Sequence, residues 1–130
     1  AKNDLLPPPV KKKYSKEHLL VMIFIYYFKG ILSITDIQAL MNPITEKYFQ
    51  NDQKFSIETI YNEVFSLEKS QADKLAKDIV DKYNTSKRTF ENVEKDQEFL
   101  QLFSFICMLS FDVYVKKQMI EKLIDQLPGE

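Results

Sequence analysis

The side chains with the clearest chemistry lie near the start of the sequence. Lys11-Lys12-Lys13 runs directly into Tyr14, and Lys16 follows two residues later. Consecutive ammonium groups beside a phenol suit contacts to backbone phosphates, which position a protein on DNA without reading its bases. The same residues also suit a plainly solvated lysine run. His18 and Cys107 are the sole His and Cys, so the sequence offers no trio of nucleophile, base and orienting group. One Cys likewise excludes an intramolecular disulfide framework and a thiolate zinc cluster within the chain. His18 falls in the first turn of an expected helix, where positive charge is unfavourable, and reads as a neutral surface or half-buried residue. Cys107 sits in the most apolar stretch and reads as an inert core thiol. Glu91, Glu94, Asp96 and Glu98 form the one dense acidic group; they read as charge complementing a helix N-terminus, not as a metal site. With only Gly30 and Gly129, no glycine-rich phosphate loop is available. The expectation is a protein that is not an enzyme and carries no metal or cofactor.

Positioning these residues falls to helices. The chain has 130 residues, of which 45% are hydrophobic, and its ten Phe and seven Tyr can fill a core without Trp. Two Gly and five Pro supply too few tight turns for a β architecture. Pro7-Pro8-Pro9 forbids a helix and predicts an extended N-terminal arm. Ser15 then caps a first helix that is apolar on every side from Leu19 to Phe28, which predicts a buried central helix ended at Lys29-Gly30. That run is ten residues long, too short to span a bilayer at roughly 20 residues, and no cleavage pattern follows it. A cytoplasmic protein without a membrane partner is expected.

Ser33, with Asp36 three residues on, opens a second helix, and Asn42-Pro43 is expected to stop it. A short helical piece from Thr45 to about Gln50, a loop at Asn51–Lys54, and a helix from Ser56 complete the middle. Whether that helix breaks between Ser66 and Ser70 is open; from Ala72 the stripe Leu75, Ala76, Ile79, Val80 and Tyr83 is at helical spacing. A long C-terminal helix is predicted from about Asp96 to Leu127, closed by Pro128-Gly129. Its stretch Phe99–Phe111 is apolar enough to be buried on most sides, either in the bundle's own core, which is favoured, or against a second subunit. The fold class is therefore all-α: a bundle of about five helices behind an extended arm.

Charge is unevenly placed. Residues 1–32 hold six Lys against Asp4 and Glu17, and the remainder holds twelve basic against seventeen acidic residues, for an overall net charge of −1. That balance argues against a wholly basic coat protein, while the cationic arm keeps a nucleic-acid role open.

Leu5-Leu6-Pro7-Pro8, Lys13-Tyr14-Ser15, Leu19 and Ser33-Ile34-Thr35-Asp36-Ile37-Gln38-Ala39-Leu40 together resemble the second half of a MerR-like winged-helix DNA-binding domain. In that family a leucine–leucine–proline turn leads into the wing, an Arg-Tyr pair closes it, and two helices follow. Lys13-Tyr14 matches the pair, and Ser33-Ile34 with Ile37 matches the opening of the second helix. Gly30 stands three residues before Ser33, where the MerR pattern has two, so the intervening turn departs from that pattern. The run from Leu5 to His18 resembles more closely still an uncharacterised bacterial family, domain of unknown function 1836.

The MerR resemblance implies a transcriptional regulator. Residues 1–43 would be wing and scaffold helices, and residues 44–130 a helical effector or dimerisation region. Lys11, Lys12, Lys13, Tyr14 and Lys16 would meet the DNA backbone. It also implies that Ala1–Asp4 is the tail of a recognition helix, that the helix-turn-helix lies upstream, and that this chain is a fragment. Because MerR-type proteins dimerise through a long C-terminal helix, Phe99, Phe103, Ile106 and Phe111 are the dimerisation candidates. The expected partners are DNA, a second copy of the chain, and a small apolar effector. The alternative is a helical protein-interaction or small-apolar-ligand module with no DNA role.

Overall fold

A computed structural model describes residues 5–11, 13–50 and 55–128. Within them the protein is all-helical, with four helices: α1 (Lys16–Lys29), α2 (Ile34–Tyr48), α3 (Ile57–Ser86) and α4 (Gln97–Asp125). The chain divides into two compact units, residues 1–66 with 119–130, and residues 67–118.

The start of each of the first three helices is set by a serine. Ser15 Oγ accepts the N–H of His18 at 3.3 Å, Ser33 Oγ accepts that of Asp36 at 3.1 Å, and Ser56 Oγ accepts that of Thr59 at 3.4 Å. Each satisfies an N–H that the first helical turn leaves without a partner.

Helix α2 does not stop at Asn42-Pro43; it carries Pro43 in its interior and runs on to Tyr48. Two features hold it together. Ile37, Met41, Ile44 and Tyr48 keep one apolar stripe on both sides of the proline, and all four pack in or against the core. The Thr45 hydroxyl also donates back to the carbonyls of Met41 and Asn42, at 3.2 Å each. Burial thus outweighs the roughly 3 kcal/mol that an interior proline costs a helix. The short fifth helix expected after Pro43 is the end of α2. Helix α3 is continuous through Ser66–Ser70, a stretch without Gly or Pro, where Ser70 Oγ donates to the carbonyl of Leu67 at 2.7 Å. The expected loop Asn51–Lys54 lies outside the described residues.

The buried apolar residues are Leu5, Leu20, Val21, Leu32, Ile37, Met41, Ile57 and Ile124, and all of them belong to the first unit. Arm, α1, α2, the start of α3 and the end of α4 each contribute. Helix α1 is not the enclosed central helix its composition predicts: Leu19, Met22, Tyr26 and Tyr27 are exposed, Tyr26 at 76%. The neighbours that cover Leu20 and Val21 do not surround the helix, so its other side forms an open aromatic groove with Tyr61 and Phe65.

In the second unit, the later part of α3 and the earlier part of α4 run antiparallel. Tyr83 meets Phe105 edge-on with ring centroids 5.5 Å apart, and Lys82 bridges Asp78 on its own helix and Asp112 of α4, the latter at 2.9 Å. Gln101, buried at the closed end, donates from Nε2 to the carbonyls of Lys87 and Thr89, 3.0 Å from each. The only buried residues of this unit are Ser86 and Gln101, both polar. Cys107 is accordingly not a core thiol; it is free and half-buried.

Candidate nucleic-acid interface

The cationic segment is a tight turn held against the start of α1. Val10 and Lys13 exchange both backbone hydrogen bonds, N–H of Val10 to the carbonyl of Lys13 at 3.1 Å and the reverse at 2.9 Å. Lys11 stands in the turn with φ of 51°, a left-handed conformation that costs a side chain-bearing residue about 1 kcal/mol or more. Lys11 and Lys13 are both exposed, as is Tyr14 at 56%. Lys12 lies outside the described residues, as do Ala1–Asp4.

His18 is what fixes this turn. Sequence reasoning places it at or near the surface, whereas it is fully buried. Its Nδ1 accepts the backbone N–H of Ser15 at 2.9 Å, which completes a reciprocal capping box with the Ser15 hydroxyl. A His takes the part that Glu or Gln more commonly plays there. With Nδ1 accepting, the proton sits on Nε2, which donates to the carbonyl of Pro8 at 3.0 Å. Tyr14 and Phe49 close on the ring edge-on, with centroids 4.9 and 4.7 Å away. The triproline segment is thereby tied to the helix it precedes, and Leu5 is drawn into the core. The residue missed as functional is a positioning residue whose signal in sequence is weak, because its second partner is a carbonyl ten positions back.

Lys16 departs from the rest of the set. Its Nζ pairs with Glu58 Oε1 at 2.9 Å, both side chains being at least half exposed. Such a pair contributes little to stability, but it draws Lys16 toward α3 and leaves Lys11 and Lys13, among the described residues, as exposed ammonium groups of the turn. On the next residue, Glu17 accepts the backbone N–H of Gln50 through both carboxylate oxygens, at 3.1 and 3.2 Å.

The dimerisation candidates are placed elsewhere, on α4. Phe99, Phe103, Ile106 and Phe111 are all exposed, from 51% to 65%, so Phe99–Phe111 is not the core of the bundle. Helix α4 is by length and composition apolar enough to cross a membrane, a feature that the shorter run Leu19–Phe28 does not show. Among the described residues no group of His, Cys, Asp and Glu could hold a metal ion. An apolar cavity of about 240 Å³ in the first unit is lined by Phe24, Phe28, Leu40, Met41, Ile44 and Val64, among others.

Fold and surface together describe an all-helical protein with a clamped cationic turn at its N-terminal end. Residues 1–64 match the family model described as Domain of unknown function (DUF1836), which supports that family resemblance for the half of the chain carrying the arm, α1, α2 and the start of α3. No curated protein and no solved structure matches the chain.

Proposed function

We propose that the chain is part of a DNA-binding transcriptional regulator and contacts the nucleic-acid backbone through the turn Val10–Lys13. The observation that carries this reading is the pairing of exposed Lys11 and Lys13 with a buried clamp: the ammonium groups project from a backbone that His18 holds in place, so little ordering accompanies a phosphate contact. In the MerR-like form of the reading the turn stands where a wing stands, Lys13 reaches phosphate, and Tyr14 packs the turn while its exposed ring edge meets the backbone. The contacts assigned to this chain are positional and sequence-independent.

Binding to random duplex DNA, followed by fluorescence anisotropy across a salt series, tests the proposal. Affinity falls steeply with salt, and Lys11→Ala and Lys13→Ala each reduce the slope of log K against log salt by about 1. Absence of binding at low salt, or a slope that neither substitution changes, overturns it.

The apolar cavity between α1, α2 and α3 favours a second reading, a module that takes a small apolar or aromatic ligand. Its walls carry no polar group to orient a ligand, so affinity would rest on burial alone. A thermal shift with indole, abolished in Ile44→Phe, tests it.

A further inference from the structure

The outward side of α1 is aromatic, where a solvated helix face is ordinarily polar. Leu19, Met22, Tyr26 and Tyr27 are all exposed, Tyr27 at 62%. The start of α3 lies beside this helix and runs the same way. Lys16 meets Glu58 at one end, and Tyr27 meets Phe65 toward the other, with ring centroids 6.0 Å apart. Between the two helices is an open groove of about 510 Å³ lined by Met22, Ile23, Tyr26, Tyr27, Tyr61 and Phe65. Its rings do not form one flat wall. Tyr61 is tilted on Phe65 at 4.5 Å, and Tyr26 stands edge-on to Tyr27 at 5.7 Å. The groove therefore presents ring faces in more than one direction, and none of these lining residues is charged. A contiguous apolar surface of this kind marks a binding site.

We propose that this groove takes the bases of an unpaired nucleic-acid strand. The proposal rests on the reading of the Val10–Lys13 turn as a nucleic-acid contact, and adds a second contact on the helix that the turn precedes. Aromatic faces stack bases of any sequence, while neighbouring cations track the phosphates. Charge chooses this occupant. Lys16 and Lys29, both exposed, stand at the two ends of α1 and bracket the tyrosines over about 20 Å. The acidic side chains of the two helices are turned away or engaged. Glu17 lies about 180° round α1 from Tyr26, with its carboxylate on the Gln50 N–H. Glu63 lies about 160° round α3 from Phe65. Glu58 is paired with Lys16, and a pair so exposed is weak enough for a phosphate to compete for the ammonium group.

A quaternary ammonium ion is the competing occupant, since ring faces also attract cations. Lysines at both ends of α1 repel it, and the nearest carboxylate on the groove side of α3, that of Glu58, is already engaged. Duplex DNA reaches the turn through its phosphates, but its bases stay stacked on one another and fill no groove unless they are flipped out. An unpaired strand meets no such cost.

The test compares labelled oligothymidylate with random duplex DNA at low salt. Binding is followed by anisotropy and by tyrosine emission, which no Trp obscures in this chain. Oligothymidylate is expected to bind and to quench that emission. Tyr26→Ala and Tyr27→Ala each weaken single-strand binding about tenfold and leave duplex binding unchanged, while Tyr26→Phe, which keeps the ring, binds as wild type does. Lys29→Ala lowers the salt slope for the single strand by about 0.7. Circular dichroism of the variants matches wild type, because the rings removed are exposed. No binding of oligothymidylate, or binding that Tyr26→Ala and Tyr27→Ala leave unchanged, overturns the proposal. The turn is judged separately: duplex binding that depends on Lys11 and Lys13, without any single-strand dependence on the tyrosines, leaves that reading standing and removes this one. Quenching by tetraethylammonium but not by oligothymidylate overturns it in favour of a cation site.

Discussion

The Nε2 of His18 donates to the carbonyl of Pro8 across 3.0 Å, joining the first turn of α1 to a segment that cannot itself form a helix. Because Nδ1 of the same ring accepts the Ser15 N–H, one imidazole serves both the cap and the arm. His18→Ala removes both bonds and leaves a cavity between Tyr14 and Phe49. Loss of a cap costs about 1 kcal/mol, and stranding a buried partner about 1–3 kcal/mol more. The expected loss in urea unfolding is therefore about 3 kcal/mol. His18→Gln keeps an acceptor for the Ser15 N–H and loses less. Trypsin cleavage after Lys11 and Lys13 accelerates in His18→Ala and far less in His18→Gln.

Lys11 separates the two roles of the turn, because its backbone and its side chain make opposite demands. Its φ of 51° favours glycine, so Lys11→Gly relieves up to about 1 kcal/mol of backbone cost. The same substitution removes one ammonium group from the proposed phosphate contact. Lys11→Gly should unfold at equal or higher urea than wild type and still bind duplex DNA more weakly at low salt. A fall in stability parallel to the fall in binding would show that the lysine acts through the fold instead.

The ion pair between α3 and α4 predicts a dependence on pH. The Lys82 ammonium, hydrogen-bonded to Asp112, holds that carboxyl below its ordinary 3.8. Hydrogen bonds from Asp112 and Asp78 raise Lys82 above its ordinary 10.5. A depressed carboxylate adds stability above its unfolded value and loses it as pH falls through the folded one; a raised ammonium adds stability below its unfolded value and loses it as pH rises through the folded one. The advantage of wild type over Asp112→Asn should hold across neutral pH, and shrink both on acidification below 3.8 and on alkalinisation beyond 10.5. Thermal unfolding of the two proteins side by side measures it. As both groups are solvent-accessible, added salt should reduce the difference.

The parts of this fold that were legible in the sequence are those set by neighbours in the chain. Ser15 and Ser33 mark helix starts because a capping hydroxyl reaches only two or three residues ahead, and Pro7-Pro8-Pro9 marks an arm because proline dictates its own backbone. Pro43 misleads for the converse reason: its local cost is real, but the stripe from Ile37 to Tyr48 outweighs it once the core is assembled. His18 was illegible as a clamp because the residue it holds is fixed by the path of the arm, not by any spacing. Phe99–Phe111 shows the limit from the other side. Composition identifies an apolar helix but not the surface that covers it, and within a chain whose buried apolar residues lie in the first unit, Phe99, Leu102, Phe103, Ile106 and Phe111 of that stretch remain exposed. The positive charge of the segment is read from Lys11-Lys12-Lys13, but the extended arm expected there closes into a turn between Val10 and Lys13, and the diversion of Lys16 to Glu58 depends on where α3 begins.

Gln101 carries the last prediction, since it closes the α3–α4 connection with two donated hydrogen bonds. Residues between the helices include Phe90 and Asp96 at positive φ, 55° and 63°, conformations sustained only where surrounding contacts hold them. Those contacts are the Gln101 bonds to Lys87 and Thr89, the Gln97 Nε2 bonds to Phe90 and Glu91 at 2.9 and 3.2 Å, and the Thr89 hydroxyl bond to the Ser86 carbonyl at 2.6 Å. Gln101→Glu replaces the donor with an oxygen facing two carbonyls, so both bonds become repulsions in a buried site. The expected loss is about 1–3 kcal/mol for the unsatisfied carbonyls, and Gln101→Leu, which removes the donor without adding charge, falls below it. Amide hydrogen exchange resolves where the loss acts. Protection should drop first between residues 87 and 96, with the helices of the first unit unchanged; uniform loss throughout the chain would mean that the connection is not held by Gln101.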